Sequence, residues 1–406
     1  MIKMKKYILY CLILIIIFII FSLFLVTQNV NNKFSKYIKD NFPVEIKLFI
    51  KNTIMYYPIQ YRDLKFRASQ YEKLFSDLEN KKKENDILKN RLNAGKFQEV
   101  STAEYNLKSL TIPYASSDLL ENNKKSGYVD IYLDKLVIVS GNGKFLITDK
   151  KNFLVNKFLI RHLPTNIEDM NLFDNKIKWT GIKDIKIVKN DIYISLTEEI
   201  KKNCYGTSVF QANFNLNYLN FKNLYRPKEC VNKNKKINSF KFFNGYQTGG
   251  RIEWFDNKIY LSTGDYNNWE FPQNNSGFGK IVEINAKNHS YKLIASGLRN
   301  PQGMEAYHSE KNYLIITDHG PKGGDEINII NLNDPIKSNN FGWPTASYGE
   351  HYDVVPINKY TKKFAPLHKS HTKHGFKEPL YWFKESIGIS AVIKNFFSRE
   401  PEFIIT

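Results

Sequence analysis

Residues 249–265 read GGRIEWFDNKIYLSTGD. Apolar and polar residues alternate on both sides of the polar pair Asp256-Asn257, so the stretch predicts two antiparallel strands joined by a tight turn. The same plan recurs in IKDIKIVKNDIYISL (182–196) and GMEAYHSEKNYLIITDHG (303–320), while GYVDIYLDKLVIVSGNGKFLITD (127–149) sets strands around a Gly-Asn-Gly turn. Similar hairpins recurring at intervals of roughly 50–70 residues predict propeller blades, each an antiparallel sheet around a central channel. A β-sandwich is the alternative; repetition of one hairpin favours the propeller.

Working outward, 406 residues exceed one ordinary core, and an apolar content of 42% with 15% aromatics supplies ample packing material. A large domain with accessory segments is expected. The formal net charge of +19 raises the question of nucleic acid. Lys is spread along the whole chain beside abundant Asn and Ile, with no basic helix and no zinc or RNA-binding signature. The charge therefore reads as a solvated basic surface, with no nucleic-acid partner.

Residues 7–26, YILYCLILIIIFIIFSLFLV, form an apolar run of the length that spans a bilayer. Lys3, Lys5 and Lys6 precede it and favour a cytoplasmic N-terminus, against a similarly basic far flank of Lys33, Lys36 and Lys39. The following VTQNVNN lacks a small-residue cleavage pattern, so an uncleaved signal anchor is expected. This divides the chain into a cytoplasmic stub (1–6), a transmembrane anchor (7–26), a juxtamembrane segment (27–60), a long helix (61–95) and the β domain (100–406). Localisation is then the inner membrane, with the β domain on the periplasmic side. Between Pro43 and Pro58 lies an apolar segment for which interfacial and docked placements are both open. In residues 61–95, Leu64, Tyr71, Leu74, Leu78, Leu88 and Leu92 fit an imperfect heptad on a helix that could reach ~50 Å. A homodimeric coiled coil and a single helix packed on the domain are the two readings.

Of three cysteines, Cys11 falls in the apolar run, and Cys204 and Cys230 fall in the exported part, where oxidation is permitted. They flank the strand pair TSVFQANFNLNYLNF. A disulfide and two free thiols are both open.

Loops at the ends of propeller strands collect ligand-binding residues from distant positions. The candidates are Arg251 in GGRIEW, Asp265 in STGD, Arg299-Asn300 in RNPQG, and the loop HGPKGGDE. Arginine there suits a carbonyl or carboxylate. The carbonyls of Gly320 and Pro321, with Asp325 or Glu326, suit a hard cation.

GLRNPQGMEA, TDHGPKGGDEINII, NNFGWPTASYGEHYD and EPLYWFKESIGIS, in that order, closely resemble the glucose/sorbosone dehydrogenase family, six-bladed propellers of the soluble quinoprotein aldose dehydrogenase type. The resemblance runs from about residue 125 to the end; residues 1–100 lie outside it. It implies a six-bladed β-propeller; the transmembrane helix and the long α-helix expected from the apolar run and the heptad pattern precede it. It also implies oxidation of a sugar hydroxyl using pyrroloquinoline quinone (PQQ) and calcium, with hydride passing to the quinone. By that resemblance Arg299 stabilises the reduced quinone oxygen, with Asn300 beside it. Gly320 and Pro321 hold the catalytic calcium through their carbonyls. Glu326 matches a ligand of a second calcium, and Phe341 stands at an aromatic position that must act through its main chain.

This chain also departs from the pattern. Gln247 occupies the position of the family's base histidine, and a carboxamide has no useful pKa for general base work. His289, His308 and His319 are substitutes only by residue type. Trp179 replaces a cofactor-contacting glutamine, where it could stack on a planar ring or pack in the core. Lys394 falls near a lysine that contacts the quinone. The chain stops at SREPEFIIT, where the family continues for several strands, which leaves the last blade incomplete. Three functions follow: a membrane-anchored PQQ-dependent sugar dehydrogenase, an altered or inactive propeller binding a carbohydrate or other exported ligand, and an assembly protein that dimerises through its helix.

Overall fold

The computed structural model describes residues 12–19, 40–41, 43–45, 68, 70–81, 97–101, 106–110, 127–151, 160–167, 169–170, 172, 177, 179–237, 241–395 and 402–406. The chain forms two compact units, Met1–Leu92 and Asn93–Thr406.

In the first unit, residues 12–19 of the predicted span and residues 70–81 of the predicted long helix are helical with exposed side chains. No helix among the described residues is long and apolar enough to cross a membrane. The remainder of the span 7–26, the stub 1–6, most of the juxtamembrane segment and the ends of the helix 61–95 lie outside the described residues.

The second unit is all-β. Four meanders follow one another, each with consecutive strands hydrogen-bonded in antiparallel order. The first is Gly127–Tyr132, Lys135–Ser140, Phe145–Asp149 and Arg161–Leu163; the second is Gly181–Val188, Asp191–Lys201, Cys204–Asn213 and Lys222–Tyr225, with Val231–Asn232 added beside Cys204–Asn213. The third is Gly249–Phe255, Lys258–Thr263, Lys280–Asn285 and Tyr291–Ala295; the fourth is Pro301–His308, Asn312–Asp318, Asp325–Asn331 and Tyr381–Phe383. A two-stranded sheet, Val392–Lys394 with Phe403–Ile405, follows them, and a hairpin of Phe97–Ser101 with Asn106–Leu110 precedes them.

Local chemistry explains the hairpins. Asp256 and Asn257 take φ of 50° and 60° between the paired residues Phe255 and Lys258, the two left-handed positions of a type I′ turn. That turn matches the right-handed twist of the strands it joins.

The first strand of each meander lies against the first strand of the next, from Gly127–Tyr132 through to Val392–Lys394. Side-chain alternation then fills the space between neighbouring sheets. Ile192, Ile194 and Leu196 point to the first sheet's Val137, Val139 and Ile147, while Tyr193 points to the third sheet's Ile259 and Leu261. Tyr260 in turn faces Leu314 and Ile316 of the fourth. Middle strands are thus buried on both faces, which is why Ile, Val and Tyr occupy both parities. The sheets thus pack face to face in series, each a repeat of the hairpin plan read from the sequence. The described residues supply four full meanders and one pair of strands in that series; the expected six-blade count goes beyond them.

Cys204 and Cys230 form a disulfide, resolving the open alternative. It ties the strand beginning at Cys204 to the chain entering Val231–Asn232, whose partners are Tyr205 and Cys204.

Candidate active site

The ends of two neighbouring sheets, the third and the fourth, meet at one cleft of about 370 Å³. Gln247 comes just before the first strand of the third sheet, Asp265 just after its second strand, and Arg299 just before the first strand of the fourth. Main-chain bonds lock these ends together: Asp265 N donates to the Arg299 carbonyl at 2.8 Å, and Tyr266 N to the Gln247 carbonyl at 2.9 Å. Two glycines permit the approach. A Cβ on Gly264 would collide with the Gln247 carbonyl, and one on Gly245, at φ +87°, would meet the Trp179 main chain at 2.7 Å. Gln247 itself adopts φ 55°, a left-handed conformation uncommon for a side-chain-bearing residue and characteristic of functional sites.

At the centre, the Gln247 carboxamide bridges an acid and a base. With the amide turned to the orientation in which both of its ends find complementary partners, its nitrogen donates to Asp265 Oδ1 at 2.6 Å and Asn267 Oδ1 at 3.2 Å, and its oxygen accepts from Arg299 Nη2 at 2.5 Å. The other guanidinium nitrogen, Nη1, donates to the carbonyls of His319 and Gly320 at 3.0 and 2.7 Å. Arg299 also stands over the Trp343 ring, 5.3 Å from its centroid. Trp343 Nε1 donates to Asp265 Oδ2 at 2.8 Å. Asp265 is fully buried, and this desolvation pushes its pKa up to about 7 against the pull of Arg299 and Trp343. Behind it, Asp318 accepts from the main-chain N–H groups of Arg299 and Asn300 at 2.9 and 2.6 Å; burial raises it to about 6.

The structure thus brings Arg299, Gln247 and Asp265 together and places Pro321 in the same wall. Other predicted residues take different positions. Asn300 Oδ1 accepts from Gly249 N at 3.2 Å and Gln302 Nε2 at 2.9 Å, stitching the third sheet to the fourth. Trp179 packs behind the cleft against Tyr246, ring centroids 5.1 Å apart. Lys394 lies over the Tyr307 ring at 5.5 Å. Arg251 pairs with Asp184 at 3.1 Å. Of the three histidines named by residue type, none lines the cleft. His289 borders an amide-lined groove, His308 bonds Asn312 at a hairpin end, and His319 offers only its carbonyl to Arg299.

The cleft also contains residues that the sequence reading passed over: Trp269, Trp343, Asn267, His351 and Tyr352. Trp343 and His351 stand inside the quoted motif NNFGWPTASYGEHYD, but nothing in the spacing marked them as facing Gln247.

A planar anionic cofactor such as PQQ fits this lining, because the aromatic side chains of Tyr246, Trp269 and Trp343 line the same cleft as the Arg299 guanidinium. Calcium does not fit the proposed ligands as they stand. The Gly320 carbonyl is taken by Arg299, the Pro321 carbonyl accepts from Ser386 Oγ at 3.2 Å, and Asp325 is committed to the N–H groups of Gly320, Ile387 and Gly388. At the second position, His371 stands between Glu326 and Phe341. Its Nδ1 lies 2.7 Å from the Phe341 carbonyl and its Nε2 3.5 Å from Glu326 Oε1. Burial raises Glu326 well above the usual carboxylate range and lowers His371, each shift favouring the uncharged form. Among the described residues, no group of three or more His, Cys, Asp or Glu side chains could hold a metal ion.

A sheet-end cleft with a buried carboxylate, a guanidinium and aromatic walls, on successive four-stranded meanders, defines an all-β domain with one polar, aromatic-lined cleft. Residues 136–402 match the family described as Glucose / Sorbosone dehydrogenase, and the chain belongs to that family. It is 34% identical over 168 residues to aldose sugar dehydrogenase YliI of Escherichia coli (strain K12), a stretch covering 37% of this chain and 41% of that relative. Among solved structures it is similar to the soluble aldose sugar dehydrogenase of Escherichia coli in the apo-form: 21% identity, TM-score 0.51, 67% of this chain and 76% of the other covered. A crystal structure of a glucose dehydrogenase gives 20% identity, TM-score 0.53, and coverage of 69% and 78%. The likeness to these structures is one of fold.

Proposed function

We propose that the chain is an exported, membrane-anchored oxidoreductase that oxidises a sugar hydroxyl in the Arg299–Gln247 cleft with PQQ as cofactor. The observation that carries this reading is the clustering of Arg299, Gln247, Asp265 and aromatic walls in one cleft of a family member. When bound, the quinone would accept hydride from the substrate carbon. Arg299, already shared between two carbonyls and a carboxamide, would supply positive charge to an anionic cofactor held in the cleft. The Gln247 amide can orient a hydroxyl by hydrogen bonding, and Trp269 and Trp343 offer faces for a flat ring. The disulfide Cys204–Cys230 supports export, because such bonds persist in oxidising compartments. The apolar run 7–26 supports anchoring, and the exposed Tyr71, Leu74 and Leu78 on residues 70–81 support self-association of that helix.

Thermal melting of the protein with PQQ, calcium, both and neither tests the site. PQQ should raise the midpoint, by about 2.7 kcal/mol of stabilisation at a hundredfold excess over its dissociation constant, while calcium alone leaves it unchanged. Dye reduction with an aldose should then appear only with PQQ. A second reading, favoured by Gln247 at the base position, is a propeller that binds a carbohydrate without oxidising it. Sugar-dependent quenching of tryptophan fluorescence with no dye reduction would select it.

A further inference from the structure

We propose that His351 is the catalytic base of this cleft; the proposal rests on the dehydrogenase reading above. His351 lines the same cleft as Arg299 and Gln247, and its ring packs against Trp269 at 5.7 Å between centroids. Its Nε2 lies 2.8 Å from the Ala365 carbonyl. A carbonyl can only accept, so Nε2 carries the proton, and the neutral ring keeps its lone pair on Nδ1.

The surroundings hold the ring in that neutral state. Burial lowers its pKa from 6.5, as does the nearby Lys369, while the Ala365 carbonyl opposes them. Within the cleft the other ionisable neighbours are Arg299, Tyr246 and Tyr352. Alternative bases are closed off. Both Asp265 oxygens are engaged, by Trp343, the Asn267 N–H and the Gln247 amide, and Asp265 is fully buried. A carboxamide at position 247 cannot take a proton.

The step balances as follows. The substrate hydroxyl gives its proton to His351 Nδ1. The adjacent carbon loses hydride, a proton with two electrons, to a two-electron quinone acceptor, and the C–O bond becomes C=O. The resulting imidazolium keeps its Nε2–H on the Ala365 carbonyl, which favours the charge, and then releases the Nδ1 proton to water.

The test compares the full chain in detergent, loaded with PQQ, as wild type and His351→Asn, with an aldose and a redox dye. The variant should lose roughly a hundredfold to ten-thousandfold in kcat, with KM little changed. Wild-type kcat/KM should rise with pH through a pKa below 6.5, and the variant should lack that limb. A second readout needs no cofactor: tryptophan fluorescence of the wild type should step in the same acid range as the ring against Trp269 charges, and the step should vanish in His351→Asn. A variant with wild-type kcat overturns the proposal and leaves the dehydrogenase reading intact. A reduced kcat that keeps the acid limb assigns His351 a structural role and also overturns it. A wild type that oxidises no aldose sinks the dehydrogenase reading first, and the base assignment with it.

Discussion

Asp265 shows how one buried carboxylate sets the chemistry of its neighbours. It is sealed beneath Gln247 and Trp343, and burial raises its pKa from 3.8 to about 7. The folded state therefore favours the protonated form. Relative to the unfolded chain, this gives a stability contribution that is intact below pH 4 and lost as pH rises toward 7. In Asp265→Asn that slope should shrink, so melting midpoints of variant and wild type should diverge progressively between pH 4 and 7. A constant gap across that range would show that Asp265 is ionised throughout. At this scale the sequence was partly legible. Arg299 and Gln247 stood out by motif and by departure from motif, while Trp269 and His351 did not, because nothing local distinguishes a cleft-facing side chain from a core one.

Among the elements, the loop between the second and third strands of the third sheet carries Asp265, Asn267 and Trp269 to the cleft. It is gathered around an internal cation: Lys280 Nζ, buried at the start of the third strand, donates to the carbonyls of Phe271, Pro272 and Phe278 at 2.8, 2.9 and 3.0 Å. Burial lowers this ammonium to about 7. Lys280→Met should leave these carbonyls without their shared donor and cost about 3 kcal/mol, measurable by denaturant unfolding; a loss within 0.5 kcal/mol would mean the loop holds itself. The disulfide is the second such device. With its cysteines 26 positions apart it restrains the unfolded chain by about 3 to 4 kcal/mol in the chain-entropy picture. Cys204→Ser should lower stability by a comparable amount, and wild type under reductant should converge on the variant. Hairpins were legible from alternation and turn residues. Lys280 was not, since a lysine heading a strand reads as a surface charge.

For the whole molecule, stability resides in the seams between successive sheets. Ile194 belongs to the seam between the first and second sheets, and Ile316 to that between the third and fourth. Each truncation to Ala should cost about 2 to 5 kcal/mol. Because the two sites share no packing partners, the double variant should cost the sum within about 0.5 kcal/mol. A marked departure from additivity would show that the seams communicate through the strands.

The sequence alone determined what short-range physics controls: where strands run, where they turn, which stretches are apolar, and which motifs place the chain in its family. Strand alternation and turn residues are local properties, so they survive without knowledge of the neighbours. Only the tertiary structure decided which polar groups meet. Gln247, Asp265, Arg299 and His351 are spread over just over a hundred residues and converge because the loop ends of the third and fourth sheets meet. The same packing turned the Gly320 carbonyl toward a guanidinium and set His371 between Glu326 and Phe341. Hydrogen-bond partners and desolvation are properties of that convergence, and no window of sequence contains them.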